Sequence, residues 1–416
     1  MKIEIGYGEE KKNVELPDKQ VISIVRPNDV VQEASGRAAV LIALANPVGT
    51  PRLRDLAEPG EKIVIVTSDI TRPMPSYEVL PLIVDELSEA GVTVDDITIV
   101  LARGDHRTHT EEEKRMLIGS TLYGQVNCVE SDPQDCVNMG TTKLGTPVDI
   151  SRVVAEADLR ICIGNIDFHY FAGYSGGSKA IMPGTSTLEA IEMNYSRMND
   201  PDAHIGQLDG NPIRGDIDDA ARFCKIDFIL NVVLDEKKKI VYAVAGDYLK
   251  AHRKGCEFLD KMYKVEIPER ADIVIASANG APKDINLYQT EKVLENAKYA
   301  VKDGGTVILV GACNEGMGNK VFEQWMNEAE SPQSLVDRIG REFKLGGHKA
   351  AAMATVMVNR KVNVSLVSEM DADAVSKMFM TPFNNVQDAV DAAIAKHGNE
   401  ATIIVMPFGG ATLPIE

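Results

Sequence analysis

The sequence is poor in the features that mark zinc knuckles, disulfide frameworks and membrane spans. It has six cysteines in 416 residues and no Cys-x-x-Cys pair, so neither a zinc knuckle nor a dithiol redox motif is present. No apolar stretch approaches membrane-spanning length, and the first ten residues lack the basic-then-apolar pattern of a signal peptide. These absences predict a cytoplasmic protein whose cysteines are small core residues.

Positive charge is also scarce. The chain has 44 Lys and Arg against 62 Asp and Glu, a net charge of −18, and no basic block offsets this locally. Such a field repels nucleic-acid backbones and anionic membranes, which predicts neither a nucleic-acid partner nor a membrane partner. An anionic small substrate would therefore need a local cationic pocket.

The length of the chain exceeds what one hydrophobic core organises, which predicts two domains. Strands alternate with helices, which predicts the α/β class: mainly parallel sheets flanked by helices, with the active site in the interdomain cleft. The expected domains are an N-terminal α/β domain, 1–265, and a C-terminal α/β domain, 266–416, that closes the cleft. Residues 1–30 are expected to form a small β-hairpin or edge strands.

Three predicted core strands, at 62–67, 96–102 and 159–165, each end in a polar loop. The loops carry Asp69 and Arg72, then His106 and Arg107, then His169 and Lys179. Ligands of parallel α/β sheets lie beyond the carboxyl ends of the strands, so the three loops are expected to face one pocket. Two helix starts are also predicted, with Ser76 as the cap of a helix over 77–90 and Thr110 as the cap of the next.

Segment 168–184 reads as a strand, a glycine-rich turn and a helix start that ends at Pro183-Gly184. Its glycines leave backbone N–H donors open to an anion, and Lys179 adds a primary amine. The pattern is not that of a nucleotide P-loop, because Ala180 stands where a magnesium-binding Ser or Thr should follow the lysine. An ordinary strand-to-helix turn is the alternative interpretation.

His106 and His169 are candidate acid/base residues, because imidazole titrates near neutrality and two rings on opposite faces of one carbon can remove and return protons. A buried structural histidine is the commoner explanation for either one alone. Arg72 can clamp a carboxylate, or it can form a structural ion pair with Asp69. His109 is assigned to a helix start, and His348 is kept as a candidate pocket residue.

Four motifs together resemble the nickel-pincer lactate racemase family of 2-hydroxyacid racemases and epimerases. They are SDITRPMPS at 68–76, GDHR at 104–107, HYFAGYSGGSK at 169–179 and YQTEK at 288–292. The resemblance extends over nearly the whole chain. It implies an isomerase that acts on a small anionic 2-hydroxy acid by hydride transfer to and from a nickel pincer nucleotide, pyridinium-3-thioamide-5-thiocarboxylate mononucleotide with nickel. It also implies cofactor-biosynthesis enzymes as partners.

The resemblance implies a role for each matched residue. Lys179 would hold the cofactor covalently, and His106 and His169 would be the catalytic acid/bases that take the hydroxyl proton on either face. Arg72, Gln289 and Lys292 would orient the substrate. The cofactor-binding residues implied are Asp69, Ile70, Thr71, Arg72, Ser175, Gly176, Gly177 and Lys179.

Two positions depart from the family pattern. Tyr195 stands where the family has its nickel-binding histidine, and a phenol must lose a proton of pKa about 10 to bind a metal well. Three alternatives stay open: nickel held by Tyr195 phenolate with the cofactor's own donor atoms, nickel held by His204, or no nickel. His348 replaces a tryptophan of the lactate enzymes, which argues against lactate as the substrate.

Two other functions therefore remain as alternatives. One is a nickel-independent acid/base enzyme on the same scaffold, which the tyrosine at 195 favours. The other is a non-catalytic ligand-binding homologue, which the intact His106, His169 and Lys179 disfavour.

Overall fold

Residues 30–260 form one unit of the computed structural model, which describes the whole chain, 1–416. Residues 1–29 and 261–416 together form the second unit. Both are α/β, with parallel-rich sheets flanked by helices, which confirms the predicted fold class. None of the helices combines the length and the apolar character needed to span a bilayer.

The strands are mostly short and are numbered in chain order. They are β1 (Lys2–Tyr7), β2 (Glu10–Glu15), β3 (Val21–Ile24), β4 (Ile63–Ser68), β5 (Ile97–Ala102), β6 (Asn127–Glu130), β7 (Cys136–Thr141), β8 (Pro147–Ser151), β9 (Leu159–Asn165), β10 (Phe168–His169), β11 (Gly173–Tyr174), β12 (Phe228–Leu234), β13 (Ile240–Gly246), β14 (Lys264–Glu266), β15 (Ala271–Ser277), β16 (Val301–Val310), β17 (Asn363–Val367), β18 (Thr381–Phe383), β19 (Ile403–Met406) and β20 (Leu413–Ile415).

The helices are numbered in the same way. They are α1 (Gly36–Ala45), α2 (Ser76–Ser88), α3 (Glu111–Ile118), α4 (Arg152–Ala155), α5 (Leu188–Tyr195), α6 (Pro212–Cys224), α7 (Lys250–Tyr263), α8 (Leu287–Ala297), α9 (Lys320–Glu328), α10 (Pro332–Arg341), α11 (Gly347–Asn359), α12 (Ala372–Lys377) and α13 (Val386–His397).

The sheet of the first unit has the strand order β13-β12-β9-β4-β5-β6, and only the β12–β13 pair is antiparallel. Strands β4 and β9 are buried along almost their whole length, as the continuous apolar runs of a sheet covered on both faces require. Because β9, β4, β5 and β6 are neighbours and parallel, their carboxyl ends lie along one edge of the sheet.

The sheet of the second unit has the order β18-β17-β16-β15-β19-β3, and every pairing in it is parallel. Its edge strand β3 comes from the N-terminus, where Val21 pairs with Ile403. Hairpin β1–β2 contributes Ile5 and Val14 to the same core as Ile275. The first 29 residues therefore belong to the second unit, not to the first as the expected 1–265 boundary has it.

The two predicted helix starts differ in outcome. Thr110 does cap α3, since its hydroxyl accepts the N–H of Glu113 and the Glu113 carboxylate accepts the N–H of Thr110. Ser76 is not a cap: it is the first residue of α2, and its buried hydroxyl bonds to Thr67 at 2.7 Å. A partner on β4 has displaced the local capping bond.

Candidate active site

Asp69 follows β4 directly and binds His106, which lies on the loop after β5. Oδ2 of Asp69 pairs with Nδ1 of His106, and Oδ1 accepts the hydroxyl of Thr71 at 2.6 Å and its N–H at 3.0 Å. Burial alone would raise the pKa of Asp69, but the contacts with His106, Thr71 and Arg72 bring it below its ordinary value. An ionised carboxylate only accepts, so Nδ1 of His106 donates and the lone pair of the neutral ring lies on Nε2.

His109 belongs to the same group of loops, a role that sequence reasoning missed. It directly precedes the cap of α3, but its side chain is buried. Nδ1 lies 2.5 Å from Oε1 of Glu130, the last residue of β6, and Nε2 accepts the N–H of Ile70 at 3.2 Å. The available signal was a second histidine three residues after the first, in the loop that follows a core strand.

Arg107 does not join this group. Its side chain is 65% exposed and forms an ion pair with Glu113 at 2.5 Å. Arg103, which was not singled out, binds the loop instead by donating to the carbonyl of His106 at 3.0 Å and to that of Ser131 at 3.1 Å. Arg107 is therefore directed towards helix α3, and its place beside a pocket stays a prediction.

The glycine-rich segment contains no α-helix start. Residues Gly177–Ala180 form a single 3₁₀ turn, and the next α-helix, α5, begins only at Leu188, after the Pro183-Gly184 stop. Gly176 and Gly177 have φ of +74° and +58°, and a Cβ at Gly177 would lie 2.8 Å from the ring of His252. The glycines therefore permit a left-handed turn packed directly on a histidine.

Side chains beneath this segment bind its carbonyl groups. Asn211 donates to the carbonyl of residue 171 at 2.8 Å, and Arg214 donates to those of residues 172 and 174. His252 contacts the carbonyl of residue 175 through Nε2 at 2.8 Å. Burial, with the charge of Arg214, lowers the pKa of His252 well below its ordinary value, so a neutral ring donates this bond.

Two backbone donors of the glycine-rich segment, including the N–H of Gly177 that was expected to face an anion, are bound within the protein. The N–H of Gly177 donates to Asn231 at 2.8 Å, and the N–H of Ser175 donates to the carbonyl of Asp167 at 2.8 Å. The hydroxyl of Ser175 donates to the carbonyl of Asn165 at 2.9 Å. These groups stabilise the loop, and the expectation that the glycine N–H groups bind an anion does not hold for Gly177.

Lys179 lies in this segment and, as a whole residue, is half-buried. Burial, with the charges of Arg214 and Arg72, lowers its pKa well below the ordinary value. Its Nζ lies 5.7 Å from the centre of the Tyr195 ring. The lowered pKa favours the neutral, nucleophilic form of this amine, and the two nearby guanidinium groups favour an anionic partner.

Tyr195 ends α5 and also lies near His169, with ring centres 6.3 Å apart. Nδ1 of His169 accepts the N–H of Ala172 at 3.3 Å, so the neutral ring has its proton on Nε2. His204, the alternative ligand, contacts the carbonyl of Ile205 through Nδ1 at 3.1 Å. No group of three or more His, Cys, Asp or Glu side chains is arranged to hold a metal ion.

The remaining predicted residues lie in the second unit. Gln289 and Lys292 lie one turn apart on α8, and the Lys292 amine donates to the Gln289 side chain at 2.8 Å. His348 is buried at the start of α11, where Nδ1 accepts the N–H of Gly346 at 3.0 Å. Burial, with the charge of Lys349, lowers the pKa of His348 to about 3, so its ring is neutral.

Comparison with known proteins relates both halves of the chain to one enzyme. The family model described as lactate racemase N-terminal domain matches residues 7–206, and the lactate racemase C-terminal domain matches residues 267–413. A lactate racemase of Thermoanaerobacterium thermosaccharolyticum is 38% identical over 418 residues, covering 98% of this chain and 97% of that protein. A lactate racemase of Lactiplantibacillus plantarum is 35% identical, covering 88% of each chain.

Solved structures show the same relationship. The lactate racemase apoprotein of Thermoanaerobacterium thermosaccharolyticum matches with a TM-score of 0.92 at 37% identity, over 100% of both chains. A structural-genomics protein from Thermotoga maritima matches with a TM-score of 0.65 at 20% identity, over 87% of this chain and 95% of that one. The second likeness is one of fold alone.

Proposed function

Because the chain belongs to the lactate racemase family and is an isomerase, we propose that it racemises or epimerises a small anionic 2-hydroxy acid. The observation that carries the proposal is the pair of adjacent loops after β4 and β5, where Asp69 holds the proton of His106 on Nδ1. Nε2 of that ring is then a base for a hydroxyl proton. A cytoplasmic location and the absence of nucleic-acid and membrane partners stay predictions.

Each of the side chains at the site has a separate role in the proposed reaction. His106 removes or returns the hydroxyl proton at Nε2, and His169 serves the opposite face. Arg72 is a permanent cation suited to the substrate carboxylate, and the substrate-orienting roles of Gln289 and Lys292 rest on the motif resemblance. The substrate is left open, because a neutral, buried His348 replaces the tryptophan of the lactate enzymes.

The surroundings of Lys179 fit the organic part of a nickel pincer nucleotide. A neutral amine can form a covalent bond to an acyl-type carbon, and Arg72 and Arg214 supply positive charge for an anionic group. When bound, this group supplies a hydride acceptor and donor for the α-hydrogen. The protein offers no three-ligand metal cluster, so bound nickel would depend chiefly on the cofactor's own donor atoms, with Tyr195 as the nearby side chain.

One specific observation favours a second candidate function. Phenol is a poor neutral metal ligand, and the structure supplies no cluster around Tyr195 to replace a histidine. The second candidate is therefore an isomerase on the same scaffold that works without nickel, through His106 and His169 alone.

The test is intact-mass and metal analysis of the chain co-expressed with the cofactor-making enzymes. We expect a mass increase that maps to Lys179, about one nickel per chain, and interconversion of at least one 2-hydroxy acid in a chiral assay. Lys179→Arg should abolish the mass increase, because a guanidinium is not a nucleophile. The control is Lys11→Arg at an exposed lysine that pairs with Glu4.

The other outcomes separate the candidates. Activity without nickel, with or without a mass increase, would favour the second candidate. A Lys179→Arg chain that still gained the mass would contradict the assignment of Lys179. No adduct and no conversion of any 2-hydroxy acid would leave a non-catalytic ligand-binding homologue.

A further inference from the structure

Glu130 and His109 form a hydrogen-bonded pair at the carboxyl end of β6. Oε1 of Glu130 accepts the backbone N–H of His109 at 2.6 Å and contacts its Nδ1 at 2.5 Å. Burial would raise the pKa of Glu130, but these two bonds bring it below the ordinary value. An ionised carboxylate only accepts, so the proton between the two side chains is on Nδ1 of His109.

The other nitrogen of His109 is fixed by a backbone group. The N–H of Ile70 points at Nε2 from 3.2 Å, and only a ring with a lone pair on Nε2 can accept it. The His109 side chain is 1% exposed, so water cannot replace either partner. The opposite tautomer would turn two N–H groups towards each other in a buried site and leave both unsatisfied.

Ile70 connects this pair to His106. It directly follows Asp69, whose carboxylate holds Nδ1 of His106 and the hydroxyl of Thr71. Strand β5 lies between β4 and β6, and the loop 69–72 is anchored by two side chains of the single loop after β5, His106 and His109, of which Glu130 at the end of β6 holds the second. A catalytic group positioned in this way depends on the residues behind its direct partner.

We propose that Glu130 and His109 are positioning residues for His106. They fix the backbone at Ile70, which aims the carboxylate of Asp69 at Nδ1 of His106 and leaves Nε2 as the base. The link from Nε2 to a substrate hydroxyl rests on the proposed function, whereas the hydrogen-bond relay from Glu130 to His106 does not.

The test compares Glu130→Gln with Glu130→Leu in the full chain without cofactor. Histidine-selective ¹⁵N labelling, with the seven histidines assigned by single substitutions, reports which ring nitrogen has the proton. In the wild type we expect His109 and His106 each to be protonated on Nδ1. Glu130→Gln keeps an acceptor oxygen and should preserve both patterns. Glu130→Leu has no acceptor, and His106 should then show a mixture of tautomers.

The matched control is Glu113→Leu, because Glu113 accepts the N–H of Thr110, next to His109, but has no bond to Ile70. It should leave the His106 spectrum unchanged. In cofactor-loaded protein, Glu130→Leu should lower the racemisation rate about 10–100-fold, and Glu130→Gln should restore most of that loss.

Several results would overturn the relay. These are a wild-type His109 protonated on Nε2, a His106 spectrum unchanged in Glu130→Leu, or Glu130→Gln as disturbed as Glu130→Leu. If Glu130→Leu does not fold, the wild-type tautomer of His109 and the spectrum of Glu130→Gln still test the relay. If no 2-hydroxy acid is converted, the proposed function fails while the spectra still test the relay.

Discussion

The two loop regions of the first unit that hold the predicted histidines have opposite electrostatic character. In the region after β4, β5 and β6, both His106 and His109 bind carboxylates. In the glycine-rich region, 168–184, His169 and His252 bind backbone groups instead. We call these the carboxylate region and the glycine region.

The difference indicates that the carboxylate region and the glycine region have different roles in the reaction. The carboxylate of Asp69 keeps a proton on Nδ1 of His106 and leaves the lone pair on Nε2, which suits a group that accepts a proton there. In the glycine region, burial and two arginines disfavour positive charge and lower the pKa of Lys179, which favours the neutral form of its amine. A base and a nucleophile need opposite surroundings, and adjacent parallel strands supply both at one edge of a sheet.

The largest expected effect comes from removing either histidine. His106→Ala and His169→Ala should each stop interconversion, a loss of about 10²–10⁴-fold or more, because racemisation needs a proton-transfer group on both faces. Both variants should fold, as circular dichroism would check. Near-full racemisation in both directions by either variant would contradict the two-base assignment and leave only one of the two regions in the chemistry.

A loss no larger than that is expected from Asp69→Asn, which tests the carboxylate region alone. The amide has no negative charge and can donate to Nδ1, so it no longer fixes the proton there, and kcat should fall about 10³-fold. Asp105→Asn is the matched control, since Asp105 lies 3.8 Å from Nε2 of His106 and is 37% exposed. Equal losses in the two variants would show a general effect of negative charge and not a fixed tautomer.

The glycine region predicts a pH effect on stability. The pKa of Lys179 is lowered in the folded chain, so between that pKa and about 10.4 the unfolded chain binds more protons and stability rises with pH. This contribution reaches at most about 1.4 kcal/mol per pH unit. Urea unfolding between pH 7 and 9.5 should show a shallower rise for Lys179→Met than for the wild type. Equal slopes would mean that Lys179 stays protonated in the fold.

The smallest effect separates stability from chemistry within the carboxylate region. Thr110→Ala removes the cap of α3 and should cost about 1 kcal/mol of unfolding free energy, because the N–H of Glu113 loses its partner. Thr110→Ser should restore most of it. The tautomer of His106 should be the same in all three proteins, and a changed tautomer would mean that the cap also positions the loop.

Much of the candidate site could be predicted from local signals. Asp69 and His106 each follow a continuous apolar strand, and parallel neighbours bring such positions together. The buried contacts of His109 and the outward direction of Arg107 could not be predicted, because both residues lie in one polar loop whose sequence does not show which side chain turns inward. Arg107 points towards solvent, where it pairs with Glu113 on α3. His109 points into the protein, where it binds Glu130 on β6.

The sequence by itself determined the α/β class, the apolar core strands, the cap of α3 and the motifs of the family, because each depends on residues close together in the chain. Tertiary structure alone decided that β3 joins the second unit, that Asn231 and Asp167 accept the N–H groups of Gly177 and Ser175, and that burial lowers the pKa of Lys179. Strand pairing, burial and charge at β3, in the glycine region and at Lys179 depend on segments that are distant in sequence. No local pattern specifies which distant segment packs there.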